Sequence, residues 1–581
     1  MTKTVDRRDV AEVLDRIASF MELQGEQPFR VRAFRSSARA VDSLAKPIQE
    51  AIDDGSLARS KGIGPSTMQI VREVVTTGHS SLLEDLREQV PPGLVDMLAI
   101  SGLGVAKIRM IHERLGVDSL PDLEAAAREG RLAALPRFGK KTAENILEGI
   151  ASLRRASEYR LLHHATEEAR HLTAALDQLP GVLRTQVVGD VRRRMELVQE
   201  LVIVIVADVP PAEVFRRLAD LPGIHELAGT DERVVTLRFA GGSSAQIIVT
   251  TPVNAGAVLL EATGSRAHLD QLADHAQSKG FTLHGAALWR GSEFIATPDE
   301  ATMYRALGLD TIPAELREGQ GEIEAAATGA LPDLVEIGDL KGLLHCHTTM
   351  SDGANTIEEL ALAARDAGFQ YLGVTDHSQS ATLAGGLDPE LIRRQAEAID
   401  ALNARLGGFR ILKGIEADIL VDGSLDYEPD VLEGLDFVIG SIHSRFTMSR
   451  EHMTDRLLSA MDNPYLNIIG HPTGQLLMAR NPYPLDLDAV FAKAAATGVA
   501  LEINADPHRL DLDWRLAARA REAGADITIG ADAHGVAGLA NVRFGIDMAR
   551  KAWLTAERIA NTKSASEFVS WAKRRRPRAG G

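Results

Sequence analysis

Two histidines one residue apart, His345 and His347 in KGLLHCH, open a series of residues able to hold metal ions. Asp352 follows in the next loop. His377 ends YLGVTDH, Glu416 lies in RILKGIEAD, His443 closes DFVIGSIH and His471 follows NIIG. ITIGADAH then supplies Asp532 and His534. A single histidine is an ordinary core or surface imidazole. Nine imidazoles and carboxylates placed after successive apolar runs are a ligand set. Mixed nitrogen and oxygen donors suit Mn²⁺, Zn²⁺ or Fe²⁺ better than Mg²⁺. Nine donors also exceed the need of one ion, so two or three ions are expected, Mn²⁺ first. Clustered ions serve phosphoester hydrolysis by acidifying a bound water and neutralising the phosphate.

The elements that must position these residues are legible as a pattern. Seven short apolar runs, ALEIN (500–504) among them, alternate with helical stretches, which implies a parallel barrel with its chemistry at the C-terminal strand ends. On a strand His345 and His347 share one face and Cys346 takes the other.

Upstream, GDVRRRMELVQELVIVIV (189–206) runs from a glycine turn through arginines into a buried strand. Further forward, SKGIGPSTMQIV (60–71) recurs as ISGLGVAKIRMI (100–111) and more loosely as LPRFGKKTAENIL (135–147). Glycine gives each turn positive φ and close backbone approach, and the following helix start attracts phosphate. Gly62, Gly64, Gly102, Gly104, Gly139 and Lys140 are therefore expected to grip DNA backbone as helix-hairpin-helix motifs, with Lys61 and Lys141 beside them. The third copy carries Arg137-Phe138-Gly139 in place of the first glycine.

The 581 residues contain one cysteine, Cys346, which excludes internal disulfides and fits a reducing cytoplasm. The longest purely apolar stretch, Leu201 to Ala207, is far shorter than the ~18 residues of a membrane span. TKTVDRRDV after Met1 lacks a signal-like apolar core. Net charge is −17, divided as +1 over residues 1–160 and −18 over the rest. A near-neutral front can bind DNA through local patches, and an acidic rear suits multivalent cations. KRRRPR (573–578) reads as a solvated basic tail.

From Gly189 the chain resembles the nucleotidyltransferase core of the X-family DNA polymerases, whose pattern is G-S-x-R-R, a Glu, then D-x-D. Gly189, Arg192, Arg193 and Glu196 match. Asp190 stands at the serine, the two carboxylate positions fall on Glu200 and Val202, and the third falls on Gln246. TGSRAH resembles the family's TGS motif, so Gly189, Arg192, Arg193, Gly264 and Ser265 are what remains of a nucleotide or phosphate site. Paired Mg²⁺ needs hard anionic oxygens. Val202 offers none, so Mg²⁺ is not expected here.

HCHTTMSDG, VTDHS, GIEADI, SIHS, GHPTG and ADAH resemble the polymerase and histidinol phosphatase (PHP) phosphoesterase domain, and all nine of its ligand positions are filled. The whole chain is similar to bacterial X-family polymerases that end in such a domain. The resemblance implies a Mn²⁺-dependent 3′–5′ exonuclease with 3′-end phosphatase activity in base excision repair, with Asp376 supporting the ligands.

The expected architecture is multidomain α+β and α/β. A helical DNA-binding domain (1–85) holds the first hairpin and a fingers-like domain (86–155) the others. A nucleotidyltransferase-like palm and thumb (156–315), a linker (316–338), a (β/α)7 PHP barrel (339–570) and the basic tail (571–581) follow. The expected partner is DNA with primer–template, gapped or 3′-end structure, and the expected state a cytoplasmic monomer. The competing readings are a working gap-filling polymerase, a small-molecule phosphatase like histidinol phosphatase, and a non-catalytic DNA scaffold.

Overall fold

The computed structural model describes residues 7–42, 48–60, 62–77, 79–98, 100, 102–136, 138–229, 231–239 and 243–577. Lys61, Arg137 and the end of the basic segment, 578–581, lie outside them. The chain forms two compact units, one running to Glu158 and one from Tyr159 onward.

The first unit is helical. Its core includes Leu14, Ile17, Val71, Ile108 and Ile111. The repeated glycine turns each open a helix, Pro65–Thr77, Val105–Leu115 and Lys140–Glu158. Gly62 and Gly102 take φ of +101° and +77°, where a side chain would be strained. That geometry is why the first glycine of both complete copies is a glycine.

In the second unit a five-stranded sheet comes first: β1 (Val182–Val188), β2 (Leu201–Ala207), β3 (Ile224–Gly229), β4 (Val234–Phe239) and β5 (Ser244–Thr250). Its order is β1-β2-β5-β4-β3, with β2 and β5 parallel. The β-branched run at 202–206 fills β2 because both faces are covered, by the helices Leu162–Leu176 and Ala255–Thr263.

The barrel strands are β6 (Gly342–Cys346), β7 (Tyr371–Val374), β8 (Arg410–Lys413), β9 (Glu416–Asp418), β10 (Ile439–Ser441), β11 (Ile468–Ile469), β12 (Ala500–Asn504) and β13 (Ile527–Ala533). The order is β8-β7-β6-β13-β12-β11-β10-β9, all parallel. β8 and β9 are halves of one run, RILKGIEAD, broken at Gly414–Ile415. The seven expected runs therefore close the sheet through that broken strand.

Residues 316–338, the expected linker, include the helix Glu322–Thr328 and are tied to the rest of the unit. Arg317 is buried and donates to Glu300 Oε1 at 2.6 Å. Arg550 Nε donates to Glu315 at 2.9 Å, and Val335 N to Leu554 O at 3.0 Å. The basic segment also departs from expectation through Arg576. Arg574 pairs with Asp526 at 2.9 Å, Arg575 donates to Met461 O at 2.5 Å and Arg576 to Glu433 O at 3.0 Å. Each guanidinium caps a carboxylate or an open carbonyl at the barrel base, which holds the segment against the protein.

Candidate metal centre

The nine expected ligand residues converge at the C-terminal ends of the barrel strands. Their donor atoms form four overlapping groups, each contained within 4.8 Å: His347, Asp352, His377 and His534; His345, His471 and Asp532; His345, His347 and Glu416; and His377, Glu416 and His443. Glu416 is the hub. Its oxygens lie 3.2 Å from His345 Nε2, 2.9 Å from His377 Nδ1, 3.3 Å from His443 Nε2 and 3.0 Å from His471 Nε2.

Backbone strain helps to aim these side chains. His345, His471 and Asp532 adopt φ of +59°, +27° and +47°, each costing on the order of 1–3 kcal/mol that the surrounding packing must offset. The pairing of β6 also shifts between Leu343 and Cys346. His345 and His347 thus reach one centre through a bulge, with His347 past the strand end, rather than by the regular alternation expected. Cys346 still turns away, into the apolar core.

The fit to metal is visible in unsatisfied atoms. His345 Nε2, both ring nitrogens of His347, His377 Nδ1 and Glu416 Oε2 are buried with no hydrogen-bond partner. His377 Nδ1 and Glu416 Oε2 stand 2.9 Å apart without the alignment of a hydrogen bond. Orphaned buried polar atoms are costly, and cations bound among these nitrogen and oxygen donors would satisfy them.

The charges are mutually dependent. Burial alone would lower the pKa of His377, but the Asp352 and Glu416 carboxylates outweigh it and hold it at about 10. His443 is likewise held at about 9 by Glu416 and Asp418 against its burial. Burial and the Arg509 charge push His471 down to about 4. Asp352 stays partly exposed at the cleft; its partial desolvation opposes ionisation, but the neighbouring histidines draw its carboxyl well below the ordinary range.

Sequence reasoning missed the residues that hold the ligands. Glu502, from ALEIN, accepts from His345 Nδ1 at 2.6 Å through one oxygen and from His471 N at 2.7 Å through the other. Asp418 takes His443 Nδ1 at 2.5 Å. Asn504 Nδ2 donates to Asp532 at 3.0 Å. A glutamate inside an otherwise apolar strand was the available signal for Glu502, and the i, i+2 spacing from Glu416 the signal for Asp418. Asp376 supports the site through an aspartate ligand. It accepts from Thr348 N and Oγ1, each at 2.7 Å, and from Gln395 Nε2 at 2.6 Å, so it anchors the loop that carries Asp352.

The residues expected at a nucleotide or phosphate site are also brought together, but their cations are engaged. Arg193 pairs with Asp190 at 2.5 Å and Glu318 at 3.3 Å, and it reaches the carbonyl of Gly264. Arg192 donates to Thr263 Oγ1 at 2.8 Å and Glu300 Oε1 at 3.1 Å. Ser265 caps the helix Arg266–Ser278, accepting from His268 N at 3.1 Å. Gly189 has a φ of +62°. Val202 and Gln246 are register partners on β2 and β5, so the expected metal face presents a methyl pair beside a neutral amide. Burial and the nearby Asp190 charge raise the Glu200 pKa, opposing ionisation.

In the first unit Gly64, Gly102, Gly104 and Gly139 have open space around their Cα atoms. Lys140 and Lys141 are exposed at the start of the third hairpin helix.

Comparison with known proteins places these parts. Residues 5–80 match a helix-hairpin-helix domain and 94–152 a SAM-like helix-hairpin-helix tandem. Residues 258–318 match a DNA polymerase beta thumb and 344–506 a PHP domain. The DNA polymerase/3′-5′ exonuclease PolX of Bacillus subtilis (strain 168) is 37% identical over 98% of this chain and 99% of its own length. Probable phosphatases of Syntrophotalea carbinolica and Thermoanaerobacter sp. (strain X514) are 32% and 29% identical over 38% and 41% of this chain, and 90% and 96% of theirs. Asp532 and His534 lie beyond the matched PHP segment, and the fold brings them back to it.

Proposed function

The chain belongs to the bacterial PolX family, the X-family DNA polymerases that carry a PHP domain, and from that premise we propose that its chemistry resides in the barrel. The activity is a metal-dependent 3′–5′ exonuclease and 3′-end phosphoesterase in DNA repair, Mn²⁺-dependent first, with a polymerase core that has lost nucleotidyl transfer. The observation that carries this reading is a contrast within one chain. Nine metal-competent residues crowd the barrel mouth, five of them with buried atoms unpaired, whereas Val202 and Gln246 leave Glu200 alone at the palm's three carboxylate positions.

The nine residues would hold the ions, which when bound would acidify a water and offset the charge of the phosphate. The protein's own groups do the rest. Glu502 and Asp418 fix His345 and His443 by Nδ1, leaving Nε2 as the donor to the centre. Arg509 lies on the cleft wall, its Nε 3.4 Å from Asp532 and its Nη1 without a partner. It supports phosphate binding by donating to a non-bridging oxygen. The hairpin glycines of the first unit hold DNA backbone without regard to sequence.

The test is labelled primer–template incubated with Mn²⁺, with and without nucleotides. Shortening in both cases, lost when His345→Ala and His347→Ala are combined, is the expected outcome. Extension that survives the double replacement overturns the reading in favour of gap-filling synthesis. The probable-phosphatase relatives of the barrel motivate a second reading, a small-molecule phosphatase. It requires phosphate release from a free phosphomonoester that competing DNA does not diminish.

A further inference from the structure

The loop that carries Arg509 is held on one side by the barrel and meets the palm on the other. Residues 505–510 leave β12 and return beside it, Asp511 N donating to Asn504 O at 3.3 Å and Asn504 N to Asp511 O at 2.6 Å. Within the loop Asp506 O accepts from Arg509 N at 2.8 Å and Leu510 N at 3.0 Å, and Asp506 Oδ1 accepts from His508 N at 2.8 Å. Gln475 Nε2 donates to Arg509 O at 3.0 Å. These bonds fix the backbone and leave the His508 side chain more than half exposed. What packs on it is His163, in the first turn of the palm helix Leu162–Leu176. The two rings lie 5.0 Å apart, edge to face at 63°. His163 also meets Phe544, in the barrel helix Val542–Lys551, at 6.3 Å and 70°. One palm imidazole therefore sits in a corner made by two barrel rings. Its Nδ1 is buried with no partner. Burial, with the charges of His164 and His508, holds His163 at about 4, so at neutral pH it packs as an uncharged plate.

The support is itself fixed. Arg515 Nη1 donates to the buried Glu196 at 2.9 Å, Lys551 donates to Arg193 O at 2.9 Å, and Arg194 pairs with Asp547 at 3.4 Å. Three residues of the palm run 193–196 are thus tied to the barrel helices Trp514–Glu522 and Val542–Lys551.

We propose that His163 is a positioning residue of the nuclease: it braces His508 and, through the adjacent Arg509, keeps that guanidinium aimed at the phosphate. A palm without nucleotidyl transfer thereby serves the barrel's reaction. The proposal rests on the exonuclease reading above. An unbraced loop would hold Arg509 in place for a smaller fraction of the time, and apparent affinity falls with that fraction. The effect therefore falls on KM.

The experiment is a double-replacement cycle on the full chain, with labelled primer–template and Mn²⁺. It compares wild type, His163→Ala, His163→Phe, Arg509→Met and the combination of His163→Ala with Arg509→Met. An aromatic contact of this kind is worth about two- to tenfold, so His163→Ala should raise KM by that factor with kcat and Mn²⁺ affinity unchanged. His163→Phe, which keeps a ring between His508 and Phe544, should restore the wild-type KM. In the Arg509→Met background His163→Ala should add nothing. A full His163→Ala effect in that background shows that the ring acts elsewhere and overturns the proposal. An unchanged KM in His163→Ala, or a phenylalanine variant as impaired as the alanine one, overturns it too. If wild type shortens no DNA, the exonuclease reading fails by itself. The brace is then read from equilibrium binding of thymidine 5′-monophosphate with Mn²⁺, whose Kd should rise in His163→Ala but not when Arg509 is already methionine. Equal Kd in wild type and His163→Ala overturns it.

Discussion

Glu502→Gln is the most informative single perturbation of the metal centre. The carboxylate serves donors on both sides, His345 Nδ1 at one oxygen and His471 N with Asn504 Nδ2 at the other. Glutamine keeps the shape but has only one acceptor oxygen. If that oxygen faces His345, the amide NH₂ meets the His471 N–H, donor against donor. If it faces His471, the His345 tautomer is no longer fixed. The first arrangement leaves a buried donor unsatisfied, at about 1–3 kcal/mol, and the second lets Nδ1 accept from the amide, which moves the proton to Nε2, the atom that faces the centre. Space allows no escape by rotation, since a mere Cβ on Gly530 would already lie 1.8 Å from Glu502 Oε1. Losing such a support to a ligating histidine typically weakens metal binding about 10–100-fold, the same range as the hydrogen-bond estimate. The assay is Mn²⁺ affinity by competition with a fluorescent chelator, followed by nuclease activity at limiting and saturating Mn²⁺. Affinity should fall by at least tenfold and activity should recover at high metal. Affinity within twofold of wild type would refute the argument that Glu502 orients the centre.

Other outcomes follow from the same structure. Arg509→Met should raise KM for DNA about 10–100-fold, as expected on losing a charge-assisted contact of ~1.5–3 kcal/mol, while Mn²⁺ affinity changes little. In metal-free protein His377 and His443 are held at about 10 and about 9, above the ordinary ~6.5. Their protonated forms therefore contribute stability in full below that ordinary value, and the contribution disappears as pH rises through the folded values. Thermal melts in chelator should show Tm falling across this alkaline window, and a flat profile would contradict it. Lys551 is buried, donating to Glu318 at 2.7 Å and to Arg193 O at 2.9 Å. Lys551→Met should cost about 3–5 kcal/mol in urea unfolding. Asp190→Ser removes one partner of Arg193 but leaves Val202 and Gln246 in place, so primer extension with Mg²⁺ should stay absent. Extension by that variant would show that the palm retains its metals by another route.

Much of the site was legible because ligand chemistry is local. A residue either offers a donor atom or does not, so His345, His347, Asp352, His377, Glu416, His443, His471, Asp532 and His534 could be named from type and spacing, whereas the deficit at Val202 and Gln246 was legible only against the X-family pattern that the segment resembles. The seven barrel runs were readable from the same alternation of apolar segments and helices. Tertiary structure decided what depends on approach through space. It paired Glu502 with His345 across 157 positions of chain, spent the palm arginines on Asp190, Glu300 and Glu318, and laid the basic segment on the barrel base. None of these is a property of a residue or its spacing. Each arises because closing the barrel desolvates charges that must then find partners, and the partners are whichever groups the fold has brought within reach.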